Sequence, residues 1–229
     1  MPKKTRKPTR KRAAKPPSAT RQRLSPAVRK AQIVDAAARL IVAQGFLPLP
    51  IEKLANAAGS SKALIYTYFP DQDLLFNTLL ERELTGLLAA GLDTASKVKD
   101  LEQAAVLCSQ LYFEHVARYG PLLNVLLSDR YMVGRIDRNV LRARNEVLQR
   151  LAQLAQASLP LDKREALAAL EMITAIPEEA GRLAFHNEID VKVARQICRS
   201  LIPSALKALQ DPDKVLASVR SAIPPIVAV

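Results

Sequence analysis

The sequence predicts an all-α chain in two parts, a small N-terminal helical bundle and a larger C-terminal one. Three observations carry this. Apolar residues recur at three- and four-residue spacing along most of the chain. Ser, Asp, Gly and Pro stand where helices would start and stop. Strand signals are missing: the 229 residues hold only 7 glycines and no tryptophan, and no alternating run of Val, Ile, Thr or aromatic residues. At 49% hydrophobic residues, the chain carries enough apolar area for a real core.

The elements follow in order. Ser25-Pro26 predicts an N-cap and first helical residue, and Ile33, Ala37, Leu40 and Ile41 share a face up to Gln44, where Gly45 ends the helix. Phe46 to Pro50 reads as a rigid connector. A second helix spans Ile51 to Ala58 and closes at Gly59. Ser61 caps a third, Lys62 to Phe69. Pro70-Asp71 interrupts, and Asp71 caps a fourth helix reaching about Leu92. Further helices are predicted over Asp100 to Arg118, Pro121 to Leu127, Asp137 to Ser158, Asp162 to Phe185 and Asp190 to Leu209, with a last short one from Asp211-Pro212. Asp162 and Glu165 have capping-box spacing, and Pro177 is expected to kink its helix.

Charge is unevenly placed. Of 34 Lys and Arg, twelve fall within the first 30 residues, and no Asp or Glu precedes Asp35. The other 22 basic residues balance the 22 acidic ones, so the whole net charge of +12 belongs to this N-terminal stretch. Such a block repels itself and lacks the apolar area to offset chain entropy, so residues 1–24 are expected to be a disordered basic arm. An arm of one sign suits a polyanion, foremost DNA, and Arg21 and Arg23 are its candidates nearest the folded part. The alternative is a tail that only solubilises.

Several function classes are disfavoured. No apolar run approaches the roughly 18 to 20 residues of a membrane span, and no apolar stretch follows the basic N-terminus as in a secretory signal. Cys108 and Cys198 cannot build a disulfide framework, and a cytoplasmic location is expected. With only His115 and His186, and with no Gly-rich phosphate loop, GxSxG, HExxH or CxxC, the chain is not expected to be an enzyme or to hold a metal or cofactor.

Residues 50–69 read as two short helices joined by a tight turn at Gly59, the layout of a helix-turn-helix. The stretch from about Arg29 to Leu80 resembles the TetR family of transcriptional repressors. The resemblance rests on Gly45-Phe46, Ile51-Glu52-Lys53-Leu54-Ala55, Ala58-Gly59, Ser61-Lys62, Ile65-Tyr66-Thr67-Tyr68-Phe69-Pro70 and Leu74-Leu75. It implies a helix-turn-helix DNA-binding domain over 25–72, a linking helix over 71–92, and an effector-binding and dimerisation domain over 93–229. Three positions depart from the family: Gln72 stands where a phosphate-contacting lysine is usual, Leu49-Pro50 where a Ser or Thr cap is usual, and Ser60 where an apolar residue is usual. The basic arm is expected to make up for the missing holds on the DNA backbone.

On this reading Lys62 reads guanine or holds a phosphate, Ala63 allows close approach, and Leu64 touches a thymine methyl or packs. Tyr66 offers its hydroxyl to phosphate or packs. Thr67 and Tyr68 face backbone or base edges, Ser61 caps and offers its hydroxyl, and Gln72 completes the set. The resemblance also implies a homodimer through residues 163–186 and 190–209, and a pocket for an effector. Candidate pocket residues are Tyr112, His115, Tyr119, Tyr131, Met172 and Phe185, each more at home in a plain core than in a pocket wall, and their scarcity of charge favours an apolar or amphipathic effector. Two rivals stay open: a nonspecific architectural DNA-binding protein acting through its arm, and a dimeric sensor acting through protein partners.

Overall fold

The computed structural model describes residues 25–211, all helices and connections with no strand among them. The expected arm with Arg21 and Arg23, and the helix expected after Asp211, lie outside the described residues. Ten α-helices are seen among the described residues: α1 Pro26–Gln44, α2 Ile51–Ala57, α3 Lys62–Tyr68, α4 Gln72–Ala89, α5 Leu92–Ala95, α6 Leu101–Tyr119, α7 Leu122–Ser128, α8 Arg138–Ser158, α9 Lys163–Phe185 and α10 Val191–Gln210.

Local chemistry sets most helix ends. Ser25 Oγ accepts from Val28 N–H, Asp71 from Leu74 N–H and Asp100 from Gln103 N–H, and the Asp162/Glu165 capping box closes in both directions. Gly45 ends α1 in the left-handed region at φ 75°. Two details differ from the sequence expectation. The fourth helix stops at Ala89 rather than Leu92, because Gly91 at φ 112° turns the chain into the separate short α5. A 3₁₀ turn, Arg130–Met132, follows α7, held by Asp129, whose carboxylate accepts from Tyr131 N–H at 2.8 Å. Helix α9 runs on through the buried Pro177.

The first core joins α1 to α4 through Ile33, Ala37, Ile41, Leu54, Ile65, Phe69, Phe76 and Leu79, and continues into Leu122, Leu123, Leu126 and Met132. Polar contacts run along the same seam. Tyr131 Oη donates to Asp73 at 2.8 Å, Arg135 pairs with that carboxylate at 3.1 Å, and Leu47 N–H donates to Asp129 at 2.9 Å. Asn77 of α4 donates to Arg135 O and accepts from Asp137 N–H. The helix-turn-helix unit is therefore built into the segment around α7 rather than hung on a linker.

The C-terminal bundle is organised around α6, which packs on α8, α9 and α10. Small residues let α6 and α9 approach closely: a Cβ on Gly181 would stand 2.7 Å from Val116 Cβ. Cys108 and Cys198 are buried free thiols, and burial pushes the Cys108 thiol up to about 11.

Glu83 and His115 are buried side by side in this interior, at 5% and 8% exposure. His115 Nε2 lies 3.0 Å from Glu83 Oε2, off the line of a hydrogen bond, while Arg82 pairs with the other carboxylate oxygen at 3.0 Å and reaches Asp35 of α1 at 2.7 Å. Burial alone would raise the Glu83 carboxyl. His115 and Arg82 outweigh it and hold the carboxyl below its ordinary value. A carboxyl depressed in the folded state adds stability above its unfolded pKa, and that stability is lost as pH falls through the folded value. The melting-temperature gap between the parent chain and Glu83→Gln is therefore expected to shrink as pH is lowered from neutral into the carboxylate range. A gap constant with pH, read by circular dichroism, excludes this linkage.

Candidate nucleic-acid interface

The turn between α2 and α3 is set by its backbone. Ser60 N–H donates to Ala55 O and Gly59 N–H to Asn56 O, with Gly59 at φ 56°, a left-handed residue that closes the helix. Ser61 Oγ then accepts from Leu64 N–H at 3.2 Å and starts α3. Ile65 and Phe69 are buried in the first core, which fixes the roll of α3. The opposite side is thereby turned outward: Lys62, Ala63, Tyr66 (50% exposed) and Thr67 share one exposed surface. Leu64 is half-buried, and Tyr68 is half-buried against the core.

Two polar groups of this surface, Lys62 and Thr67, have partners already. Lys62 pairs with Glu52 of α2, and this pairing holds the Glu52 carboxyl below its usual range. Thr67 Oγ1 donates to Ala63 O in its own helix at 3.0 Å. Gln72, a DNA-contact candidate, is half-buried and uses both ends of its amide on Leu49, at 2.9 Å each. Two neighbours escape a reading of the sequence. Glu52 gives no local sign of meeting Lys62, since only the folded turn brings them together. Lys30 of α1 belongs by position to the basic N-terminal stretch, yet its Nζ lies 5.6 Å from the centre of the Phe69 ring, at the end of α3.

The six pocket candidates do not converge. Tyr112 Oη donates to Glu178 at 3.4 Å, and burial, then Glu178, pushes the Tyr112 hydroxyl up. Burial likewise raises the Glu178 carboxyl. His115 lies beside Glu83, and Tyr119, 5.0 Å from its ring, is exposed at the end of α6. Tyr131 belongs to the first core, edge-on to Phe76. Met172 is 67% exposed on α9, and Phe185 is half-buried beside Gly120. A void of about 10 Å³ between α6 and α10 is lined by Ser109, Phe113, Cys198 and Ile202, and by none of the six. Among the described residues no cluster of His, Cys, Asp or Glu suits a metal ion, and no helix is long and apolar enough to cross a membrane.

Residues 33–79, from mid-α1 into α4, match the family model described as bacterial regulatory proteins of the tetR family. This stretch is similar to the N-terminal domain of the TetR family. The whole described chain has a TetR-like fold, a helix-turn-helix domain followed by a helical domain. Similar solved structures include a TetR-like transcriptional regulator from Rhodococcus sp. RHA1, with 23% identity, 81% of this chain and 99% of that one covered, and a TM-score of 0.60. The fatty acid degradation regulator FadR of Bacillus halodurans follows at 19% identity, 79% and 96% coverage and 0.57. FadR of Bacillus subtilis, solved with stearoyl-CoA, gives 19%, 79% and 97%, and 0.50. Identities this low establish shared TetR architecture. No protein of curated function matches the chain.

Proposed function

We propose that this TetR-like chain is a sequence-specific transcriptional regulator, a repressor that binds a palindromic operator as a homodimer and is released by an effector. One observation carries the reading. Helix α3 is anchored by Ile65 and Phe69 so that Lys62, Ala63, Tyr66 and Thr67 are presented together, on a helix braced by α2. This is the presentation a recognition helix needs to enter a major groove. Lys62 exchanges Glu52 for a base edge or phosphate on binding. Lys30, beside Phe69, supplies a further cation to the backbone. A cytoplasmic location goes with this role.

The dimer is supported by α10. Ala194, Cys198, Ile202 and Leu206 face the bundle, while the adjacent stripe of Val193, Ile197 and Leu201 is exposed. A second copy pairing through residues 163–186 and 190–209 covers that stripe and supplies the two-fold symmetry a palindrome requires. Sedimentation at micromolar concentration is expected to give a dimer, and a monomer overturns the pairing. The effector is proposed to be apolar or amphipathic, because the interior of α6 to α10 offers mostly Ala, Leu, Ile and Phe. The stearoyl-CoA bound by the Bacillus subtilis FadR is an amphipathic ligand held by a similar fold.

In-vitro selection of the full-length chain on randomised duplex DNA at physiological salt tests the function. Enrichment of a palindrome is expected. Lys62→Ala with Thr67→Ala should weaken its binding about 5- to 150-fold for each base-edge interaction removed. Tight binding with no enriched sequence assigns the DNA binding to the basic arm and the chain to the architectural class.

A further inference from the structure

The connector between α1 and α2 is unusually poor in donors. Pro48 and Pro50 have no N–H, so Leu47 and Leu49 supply the amides of its second half, and both residues are buried. Buried amides need acceptors. Leu47 N–H donates to Asp129 Oδ2. Leu49 N–H donates to Gln72 Oε1, and Gln72 Nε2 returns a hydrogen bond to Leu49 O, each at 2.9 Å. Gln44 Nε2 donates to Phe46 O at 2.6 Å. Helix α2, which starts next, has Pro50 at its N-cap and no side-chain cap of its own.

Gln72 is the first residue of α4, and Leu49 lies 23 positions before it. Everything between them is the DNA-reading unit: Pro50, α2, the Gly59 turn, α3 and the Pro70-Asp71 corner. The Gln72 amide mimics a peptide group and closes this unit into a ring at its base. Its sequence position suggests a touch on DNA, yet its amide both donates and accepts inside the protein.

We propose that Gln72 is a positioning residue for DNA readout, pinning the entrance of α2 to the start of α4 and so setting the angle at which α3 meets the groove. The proposal rests on the regulator reading given above. It makes a distinction that a phosphate-binding role does not. Removing a phosphate-binding side chain weakens all duplexes alike, whereas removing a positioning residue weakens the preferred site and leaves random DNA almost untouched.

The test uses the full-length chain with Gln72→Leu, Gln72→Glu and Gln72→Lys. Affinity is measured for the selected operator and for random duplex across a salt series, with amide hydrogen exchange at Leu49 as a DNA-independent readout. Gln72→Leu is expected to expose the Leu49 amide to exchange while α1 stays protected, and to lower the operator-to-random ratio roughly tenfold, the size of one to two hydrogen bonds. Gln72→Glu keeps the acceptor for Leu49 N–H and is expected to fall between, which keeps the test alive if the leucine variant does not fold. Gln72→Lys is expected to lower the ratio even though it adds a cation. A lysine variant that tightens both duplexes, keeps the ratio and steepens the salt slope by about 0.9 assigns position 72 to phosphate instead and overturns the proposal. So does unchanged protection at Leu49. A parent chain that selects no sequence overturns the regulator reading, and the proposal with it.

Discussion

Replacing Phe76 by alanine is expected to cost about 3–5 kcal/mol of stability, the range for a large aromatic side chain removed from a closed core. Phe76 has no exposure, and it sits on α4 where the first core passes from α1 to α3 into α7. Its ring lies 5.6 Å from that of Tyr131 at 84°, an edge-to-face pair that adds to the burial. Tyr131 is held in turn by Asp73 and by the Arg135 guanidinium, 4.6 Å from its ring. The cavity cannot collapse by moving Tyr131 without breaking those contacts. The helix-turn-helix and the α7 segment share this core, so they are expected to unfold in one transition at lower urea. A loss under about 1 kcal/mol, or a separate early transition for the N-terminal helices, contradicts the shared core.

Gly120→Ala is expected to cost about 2–6 kcal/mol, for two separate reasons. At φ 80° and ψ 179° the residue occupies a region essentially reserved for glycine, which costs roughly 1–3 kcal/mol for any other residue. A Cβ there would also stand 2.8 Å from Val42 Cγ1 and 3.1 Å from Phe185 Cζ, adding an overpacking cost of about 1–3 kcal/mol. Val42 belongs to α1, Gly120 ends α6 and Phe185 ends α9, so the strain falls on the joint between the helix-turn-helix unit and the C-terminal bundle. Gly134 is the control. It has φ 74° with nothing within reach of a Cβ, so Gly134→Ala should cost only about 1–2 kcal/mol of backbone strain. Equal losses at the two positions, read from urea midpoints, exclude the packing part of the argument.

The paired carboxylates Glu178 and Glu179 illustrate how far a helical pattern carries. Adjacent positions on a helix point apart, and the structure has Glu178 half-buried with Tyr112 while exposed Glu179 pairs with Arg182 at 2.7 Å. The same pattern is mute on Met172, an apolar residue that the fold leaves exposed, and on Tyr131, which the fold gives to the N-terminal core. Apolarity says that a side chain prefers contact with its own kind, and does not say with which helix.

Helix positions and the anchored face of α3 are legible in the order of residues. Ser25, Ser61, Asp71, Asp100, Asp137 and Asp162 all cap the helices they precede, and Gly45 and Gly59 end the ones before them. Each of these contacts spans no more than a turn, so residue type and spacing suffice. The spacing of Ile65 and Phe69 likewise places one side of α3 inward. The work of the polar side chains is another matter, and emerges only from the folded chain. Gln72 meets Leu49, Lys62 meets Glu52, His115 meets Glu83 and Tyr131 meets Asp73. These partners lie between 10 and 58 positions apart, as Lys62–Glu52 and Tyr131–Asp73 do. Their meeting depends on how whole helices pack and roll, which the apolar cores settle collectively and no local spacing encodes.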